Sequence, residues 1–323
     1  MHVAILGATG AVGRTFLEVL EQRNFPVAEL TLLASERSVG KVIEWRGRKI
    51  TVRAPEPGCF RGVDVALFSA GGARSLEWAP RAAEEGAIVV DNSSAWRMDP
   101  EVPLVVPEVN PDAAANRPKG IIANPNCSTI QVVVALKALE NASPLKNVVM
   151  TTFQSVSGAG ETGKAALDRE LRGETGDTPF SRTIAGNVIP QIGKFDGEGW
   201  TEEELKMVYE PRKILSLPKL DLAPTCVRVP VEIGHSVEMM VEQERPLSRD
   251  EAIEALSAMP GIVVSAAAEK FPTPLEVAGR DEVFVGRIRR DIHRPNVLHL
   301  WVVADNLRKG AATNAVQIAG LLG

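Results

Sequence analysis

No apolar run in the 323-residue chain approaches the roughly 18 residues that a membrane-spanning helix requires. None precedes the first strand, which begins at His2, so no signal peptide is expected and the reading is a cytoplasmic, soluble protein with no membrane partner. A basic surplus is also missing. Lys and Arg number 36 against 41 Asp and Glu, and a net charge of −5 argues against a nucleic-acid partner, because nothing is left over to neutralise phosphates. Cysteine is scarce and odd in number: Cys59, Cys127 and Cys226 lie far apart without metal-ligand spacing. That excludes a disulfide framework and a zinc site, and no metal is expected. Repeats and low-complexity segments are absent. The 45 % hydrophobic and 24 % charged residues are the balance of a soluble globular protein, and the length allows two domains, each with its own core.

The chain opens with a short apolar strand, His2-Val3-Ala4-Ile5-Leu6, then Gly7-Ala8-Thr9-Gly10-Ala11-Val12-Gly13, then a helix from about Arg14 to Arg23. Strand, glycine turn and helix in that order are the context of a dinucleotide site, where glycines let the backbone approach a pyrophosphate. Thr9 stands where the usual fingerprint has its second glycine. The next strand, Glu29 to Ala34, delivers Ser35-Glu36-Arg37-Ser38 to the place of the adenine ribose. An acidic residue there favours NAD and an Arg accommodates a 2′-phosphate. Arg37 and Ser38 point to NADP, with Glu36 beside them pointing the other way.

A hairpin is expected over Lys41 to Arg53 with its turn at Arg46-Gly47, followed by parallel strands at Val63 to Ala70 and Ala87 to Asp91 with a helix between them. Alternation of this kind builds a doubly wound sheet with its ligand at the strands' carboxyl ends. Arg97 lies in the polar loop on that edge, suited to clamp a phosphate or carboxylate and equally readable as a solvated arginine.

Asn124-Pro125-Asn126-Cys127-Ser128-Thr129 joins the apolar strand Gly120 to Ala123 to a helix ending near Ala142. Cys127 therefore sits where a strand hands over to a helix, with Ser128 or Thr129 expected to cap the first turn. Free N–H groups and the helix dipole there favour an anion, so the thiol should ionise readily, and the same groups could cradle an oxyanion or a departing phosphate. On its own, Cys127 reads as well as one more buried small apolar residue.

Beyond a strand at Lys146 to Gln154, a polar, glycine-containing section is expected to run to about Gly199. A helix from Thr201 to Leu215 follows, opened by a Thr201/Glu204 capping box. It places Glu210 and Lys213 on one face as an exposed ion pair, and Pro211 between them should remove a backbone hydrogen bond. The last third alternates strands with little helix, which indicates an α+β domain on a mixed or antiparallel sheet. Of the four histidines, His235 follows a glycine at a strand boundary seven residues after Arg228, and it is the best-placed partner for a cysteine nucleophile.

Taken together, the glycine turn, Ala34 to Ser38, Asn124 to Thr129, Gln154-Ser155-Val156-Ser157-Gly158, Glu210 with Lys213, Arg228 with His235, and Asp305-Asn306-Leu307 resemble aspartate-semialdehyde dehydrogenase over essentially the whole chain. The resemblance implies NADPH-dependent reductive dephosphorylation of L-aspartyl-4-phosphate to L-aspartate 4-semialdehyde, in lysine, threonine, methionine and isoleucine biosynthesis. It implies that Cys127 forms a thioester, that His235 assists proton transfer, and that Gln154 orients the intermediate. Arg97 and Lys213 would hold phosphate, and Arg228 and Glu210 the carboxylate and amino ends of the substrate. Thr9, Gly10, Ala11, Val12, Arg37, Ser38, Ser157, Gly158 and Asn306 would contact NADP(H). It further implies a Rossmann-type NADP domain, 1–127 with 304–323, and a catalytic and dimerisation domain, 128–303. The partners would be small-molecule substrate, inorganic phosphate and a second copy, with a tetramer left open. The related N-acetyl-glutamyl-phosphate reductase shares the thioester logic but favours a Gly-Cys-Tyr nucleophile sequence. A non-catalytic paralogue would be expected to lose the cysteine or its helpers, and none is missing.

Overall fold

A computed structural model describes residues Met1 to Leu322, which form two compact units. One comprises Met1–Pro125 and the chain from Ala311; the other is Asn126–Gly310.

In the first unit, strands β1 (His2–Leu6), β2 (Glu29–Leu33), β5 (Val65–Phe68), β6 (Ile88–Asp91) and β7 (Ile121–Ala123) form a parallel sheet in the order β2-β1-β5-β6-β7. Helix α1 (Ala11–Gln22) follows β1, and α2 (Gly72–Glu84) follows β5. The chain leaves β1 to one side for β2 and resumes on the other side at β5. The order therefore reverses between β1 and β5, the place where such sheets bind ligands. Val3, Ile5, Leu32, Val65, Leu67, Val90 and Ile122 share one core with Phe16, Val19 and Leu20 of α1 and with Ala315, Val316 and Ile318 of the closing helix α8 (Thr313–Gly320). The expected hairpin is present as β3 (Val42–Trp45) and β4 (Arg48–Thr51). Its two turn residues, Arg46 and Gly47, both have positive φ, as the tightest hairpin turn requires.

The second unit is a six-stranded mixed sheet in the order β11-β12-β13-β10-β8-β9, made of β8 (Leu145–Gln154), β9 (Asp221–Arg228), β10 (His235–Gln243), β11 (Ile262–Val264), β12 (Val283–Arg290) and β13 (Val297–Ala304). Alternation along β8, β10 and β13 buries Val148, Met150, Val237, Met239, Val241, Leu298 and Leu300. Helix α3 (Cys127–Ala142) packs on this sheet and is buried almost along its length, with α5 (Glu202–Ile214) and α6 (Arg249–Ala258) beside it. A short helix α7 (Pro274–Val277) packs near β13.

Two expectations change. The section between Gln154 and Gly199 is not all irregular, because α4 (Gly160–Leu171) lies in it. Its start has no side-chain cap to announce it, and it forms because Leu167 joins Val156, Ile184 and Ile189 in a small cluster. Gly163 is obligatory there, since a Cβ would run into the Val156 carbonyl. Helix α5 has its capping box and continues through a buried Pro211, yet Glu210 is not on an exposed face: it is 1 % accessible.

Among the described residues, no helix is long and apolar enough to cross a membrane, and no cluster of His, Cys, Asp and Glu is arranged to hold a metal.

Candidate active site

Within the first unit, the turn after β1 is built for close approach. Gly7 has a φ of +95°, and a Cβ on it would overlap the Ser69 carbonyl of the loop after β5. A Cβ on Gly13 would overlap the Gly7 carbonyl in the same way, whereas Gly10 is not sterically required. Gly10 is the N-cap residue of α1 and offers no side-chain cap, and no acidic residue occupies the first turn. The N–H groups around Ala11 and Val12 are thus presented at the positive end of a helix, where a phosphate is stabilised. Thr9 Oγ1 lies 3.1 Å from Ser38 Oγ, which ties the glycine turn to the turn after β2. Arg37 and Glu36 are both exposed beside it. A dinucleotide fits these features: a glycine-lined pyrophosphate seat and a cation at the ribose end.

Arg97, in the same unit, is not solvated. It is buried, its Nε donates to the Asn124 carbonyl at 3.0 Å and its Nη2 donates to the Asn92 carbonyl at 2.7 Å. Two loops that follow β6 and β7 thereby fix the plane of its guanidinium.

In the second unit, Cys127 is the first residue of α3 and is half-buried. The cap is neither Ser128 nor Thr129. Asn126 Oδ1 accepts from Ser128 N at 2.9 Å and Thr129 N at 3.3 Å, so the two N–H groups expected to face an anion are already satisfied. The N–H of Asn126 itself donates to Glu210 Oε2 at 2.7 Å, and its amide Nδ2 donates to Glu203 Oε1 at 2.8 Å. Glu203 Oε1 also receives Gln154 Nε2 at 2.9 Å, while its Oε2 receives Lys206 Nζ at 2.9 Å. Burial opposes the charge on Glu203. The Lys206 ammonium and the hydrogen bonds from Gln154, Lys206 and Asn126 outweigh it and hold the carboxyl at about 2. Gln154 and Asn126, the residue that precedes Cys127, are thus linked through one ionised carboxylate.

Sheet topology collects the remaining candidates. Parallel β8 and β9 end together, pairing Gln154 with Arg228, and antiparallel β10 and β13 pair His235 with Ala304. His235 is fully buried. Its Nδ1 accepts from Ser155 N at 3.1 Å and lies 3.0 Å from Ser155 Oγ, and its Nε2 has no hydrogen-bond partner among the described residues. A backbone N–H can only donate, so Nδ1 is unprotonated and the proton of the neutral ring is on Nε2. Burial, reinforced by the Arg228 guanidinium, pushes the ring's pKa down to about 3. Arg228 is buried too and donates from Nη1 to the Ser155 carbonyl at 2.6 Å. Gly158 packs against both: a Cβ there would stand 2.8 Å from Arg228 Nη1 and 3.4 Å from the His235 ring. Asn306 Oδ1 accepts from Ser155 Oγ, Ser157 Oγ and Gly234 N, and its Nδ2 donates to Ser157 Oγ at 2.9 Å. Asn306 and Ser157 therefore stand behind His235, with one amide proton of Asn306 left for another partner. Lys213 lies one turn after Glu210 on α5 and is half-buried.

Sequence reasoning missed Glu203, Lys206 and Ser155. Glu203 lies among three consecutive acids in the first turn of α5, where each reads as a complement to the helix dipole. Asn126 was legible as a cap, since Asn is favoured at that position.

Family models for the semialdehyde dehydrogenase NAD-binding domain and the semialdehyde dehydrogenase dimerisation domain match residues 2–117 and 136–309. The aspartate-semialdehyde dehydrogenase of Aquifex aeolicus is 54 % identical, covering 99 % of this chain and 97 % of that one. The chain belongs to the aspartate-semialdehyde dehydrogenase family. The crystal structure of aspartate semialdehyde dehydrogenase II from Vibrio cholerae complexed with ASA is 51 % identical and superposes with a TM-score of 0.96, covering 99 % of this chain and 97 % of that one. The Candida albicans enzyme, solved with NADP, is 25 % identical with a TM-score of 0.77 over 99 % of this chain and 98 % of that one. As a member of this family the protein is an oxidoreductase with a Rossmann-type dinucleotide-binding domain and a mixed-sheet dimerisation domain.

Proposed function

We propose that the protein reduces L-aspartyl-4-phosphate to L-aspartate 4-semialdehyde with NADPH, through a thioester on Cys127, in the biosynthesis of lysine, threonine, methionine and isoleucine. The observation that carries this reading is a cysteine at the start of a buried helix in the same unit as a buried histidine whose Nε2 has no hydrogen-bond partner among the described residues. NADPH supplies the hydride. The chain supplies the rest.

The Cys127 thiolate attacks the acyl carbon, a C–S bond forms, and the bond to phosphate breaks with the electron pair leaving on phosphate. Arg97 and Lys213 hold that phosphate as cations, while Arg228 and Glu210 hold the carboxylate and ammonium ends of the substrate. Once the thioester carbonyl has been reduced to an oxyanion, the C–S bond breaks, the aldehyde leaves and the thiolate returns. No net proton is consumed on Cys127. His235, kept neutral with its proton on Nε2, donates a hydrogen bond to the oxygen as charge develops on it, and so steadies it electrostatically. Gln154 fixes the same oxygen or its neighbour with the amide proton that Glu203 does not take. Thr9 to Val12, Arg37, Ser38, Ser157, Gly158 and Asn306 would hold NADP. The match to a dimerisation domain supports a homodimer.

The test runs the reaction backwards, following NADPH formed from L-aspartate semialdehyde, phosphate and NADP. A signal that requires phosphate and prefers aspartate semialdehyde supports the reading. Activity only with N-acetyl-glutamate semialdehyde moves the protein to the sister reductase, and silence from a folded, NADP-binding protein removes the catalytic reading.

A further inference from the structure

We propose that Glu203 is the positioning residue of this site, whose single carboxylate oxygen decides which way the amides of both Gln154 and Asn126 face. The inference rests on the thioester reading above and adds a residue to it.

An Asn or Gln amide is nearly symmetric in shape but not in chemistry, since one end donates and the other accepts. Glu203 Oε1 can only accept, and it takes Nε2 of Gln154 at 2.9 Å and Nδ2 of Asn126 at 2.8 Å. Both flips are then set. For Asn126, Oδ1 must turn towards Ser128 N and Thr129 N, which caps the helix that begins with Cys127. For Gln154, Oε1 turns to Thr152 Oγ1 at 3.0 Å, and the second Nε2 proton is what the side chain can present to a substrate. A neutral glutamine at 203 offers a donor and an acceptor, and either neighbour could then reverse. A reversed Asn126 would set donors against donors at the start of α3. A reversed Gln154 would present a carbonyl where a donor is needed.

The device works only while Glu203 is charged, in a buried place that disfavours charge. Lys206 on the same helix sustains it through Oε2 at 2.9 Å, with its own side chain one-third exposed (32 %). Arg228 and Cys226 on β9 and His235 on β10 also feel its charge, and the cation of Arg228 adds to the support; Glu204 and Glu210 on α5 lie nearby, bonded to the N–H groups of Cys226 and Asn126. Burial raises a carboxyl's pKa, so without Lys206 that of Glu203 should climb from about 2 towards the assay range.

Three proteins decide it: wild type, E203Q and K206M, each assayed in the reverse direction with saturating phosphate from about pH 5 to 8. E203Q should lower kcat by roughly 30- to 100-fold, the scale of a misplaced reacting group, with KM for aspartate semialdehyde within about threefold of wild type. K206M should lose proportionally more activity than wild type as pH falls, because its Glu203 becomes protonated, and E203Q should lack that extra acid limb. A merely structural role would lower activity by the same factor at every pH. The inference is overturned if E203Q keeps a kcat within twofold of wild type, or if the K206M profile runs parallel to the wild-type one. Should E203Q not fold, K206M carries the test alone. Inactivity of the wild type towards aspartate semialdehyde would overturn the functional reading, and this inference with it.

Discussion

The backbone N–H of Ser155 donates to Nδ1 of His235 at 3.1 Å, and this one bond sets what the histidine can do. Protonating Nδ1 would put two donors face to face in a buried place, so the ring stays neutral and offers Nε2–H. The ring's pKa, pushed down to about 3 by burial and by Arg228, lies below the unfolded value of 6.5. Between those values the unfolded chain binds a proton that the native chain does not, so this contribution is complete above about pH 6.5 and is lost as pH falls. Urea unfolding between about pH 5 and 6.5 should show wild-type stability falling, and H235Q should lessen the slope by up to one proton, about 1.4 kcal/mol per pH unit. Parallel slopes would mean that His235 is not held neutral.

Gly158 touches Arg228 and His235 at once, which makes G158A a probe of both. Its Cβ would meet Arg228 Nη1 at 2.8 Å, and that guanidinium cannot swing away without leaving the Ser155 carbonyl. Overpacking of this kind costs about 1–3 kcal/mol. Here we expect it mainly in the fit of Arg228 to the substrate carboxylate, with KM for aspartate semialdehyde raised about tenfold or more. Unchanged KM together with an unchanged melting temperature would contradict the contact.

Asn126 has two jobs that substitution can separate. N126S keeps an oxygen for the first turn of α3 but cannot reach Glu203 with an amide. N126A loses both, and should be less stable than N126S by roughly 1 kcal/mol, the usual worth of a cap. Both should lose turnover to a similar degree. Near-normal turnover in N126S would show that capping alone matters.

Arg37 is exposed beside the buried Ser38 that meets Thr9. R37A should weaken NADP by about tenfold or more, the worth of a hydrogen bond to a charged group, and leave NAD within about threefold. Equal weakening of both cofactors would remove Arg37 from the 2′-phosphate.

Much of the fold was legible because its signals are local. The glycine turn between β1 and α1, the Arg46-Gly47 hairpin, and the capping box at Thr201 each rest on a few neighbouring residues, and each is found where expected. Helix α4 was not, since its reason to exist is contact with Ile184 and Ile189, well downstream. The site divides in the same way. Cys127 at a helix start follows from its own flanks, but the burial of Glu210 and the function of Glu203 depend on packing of α5 against Asn126, more than seventy residues earlier. Spacing within a helix says which residues share a face, and not whether that face meets water. Arg97 carries the same lesson, because the carbonyls that hold it belong to two loops.

The central claim is the thioester on Cys127, and intact-protein mass spectrometry reads it most directly. Enzyme, L-aspartate semialdehyde and NADP are mixed without phosphate, so that oxidation proceeds but phosphorolysis does not. The account predicts one aspartyl group added per chain, located at Cys127, with a matching burst of NADPH, and neither in C127S. An unmodified protein, or an adduct that persists in C127S, would contradict it.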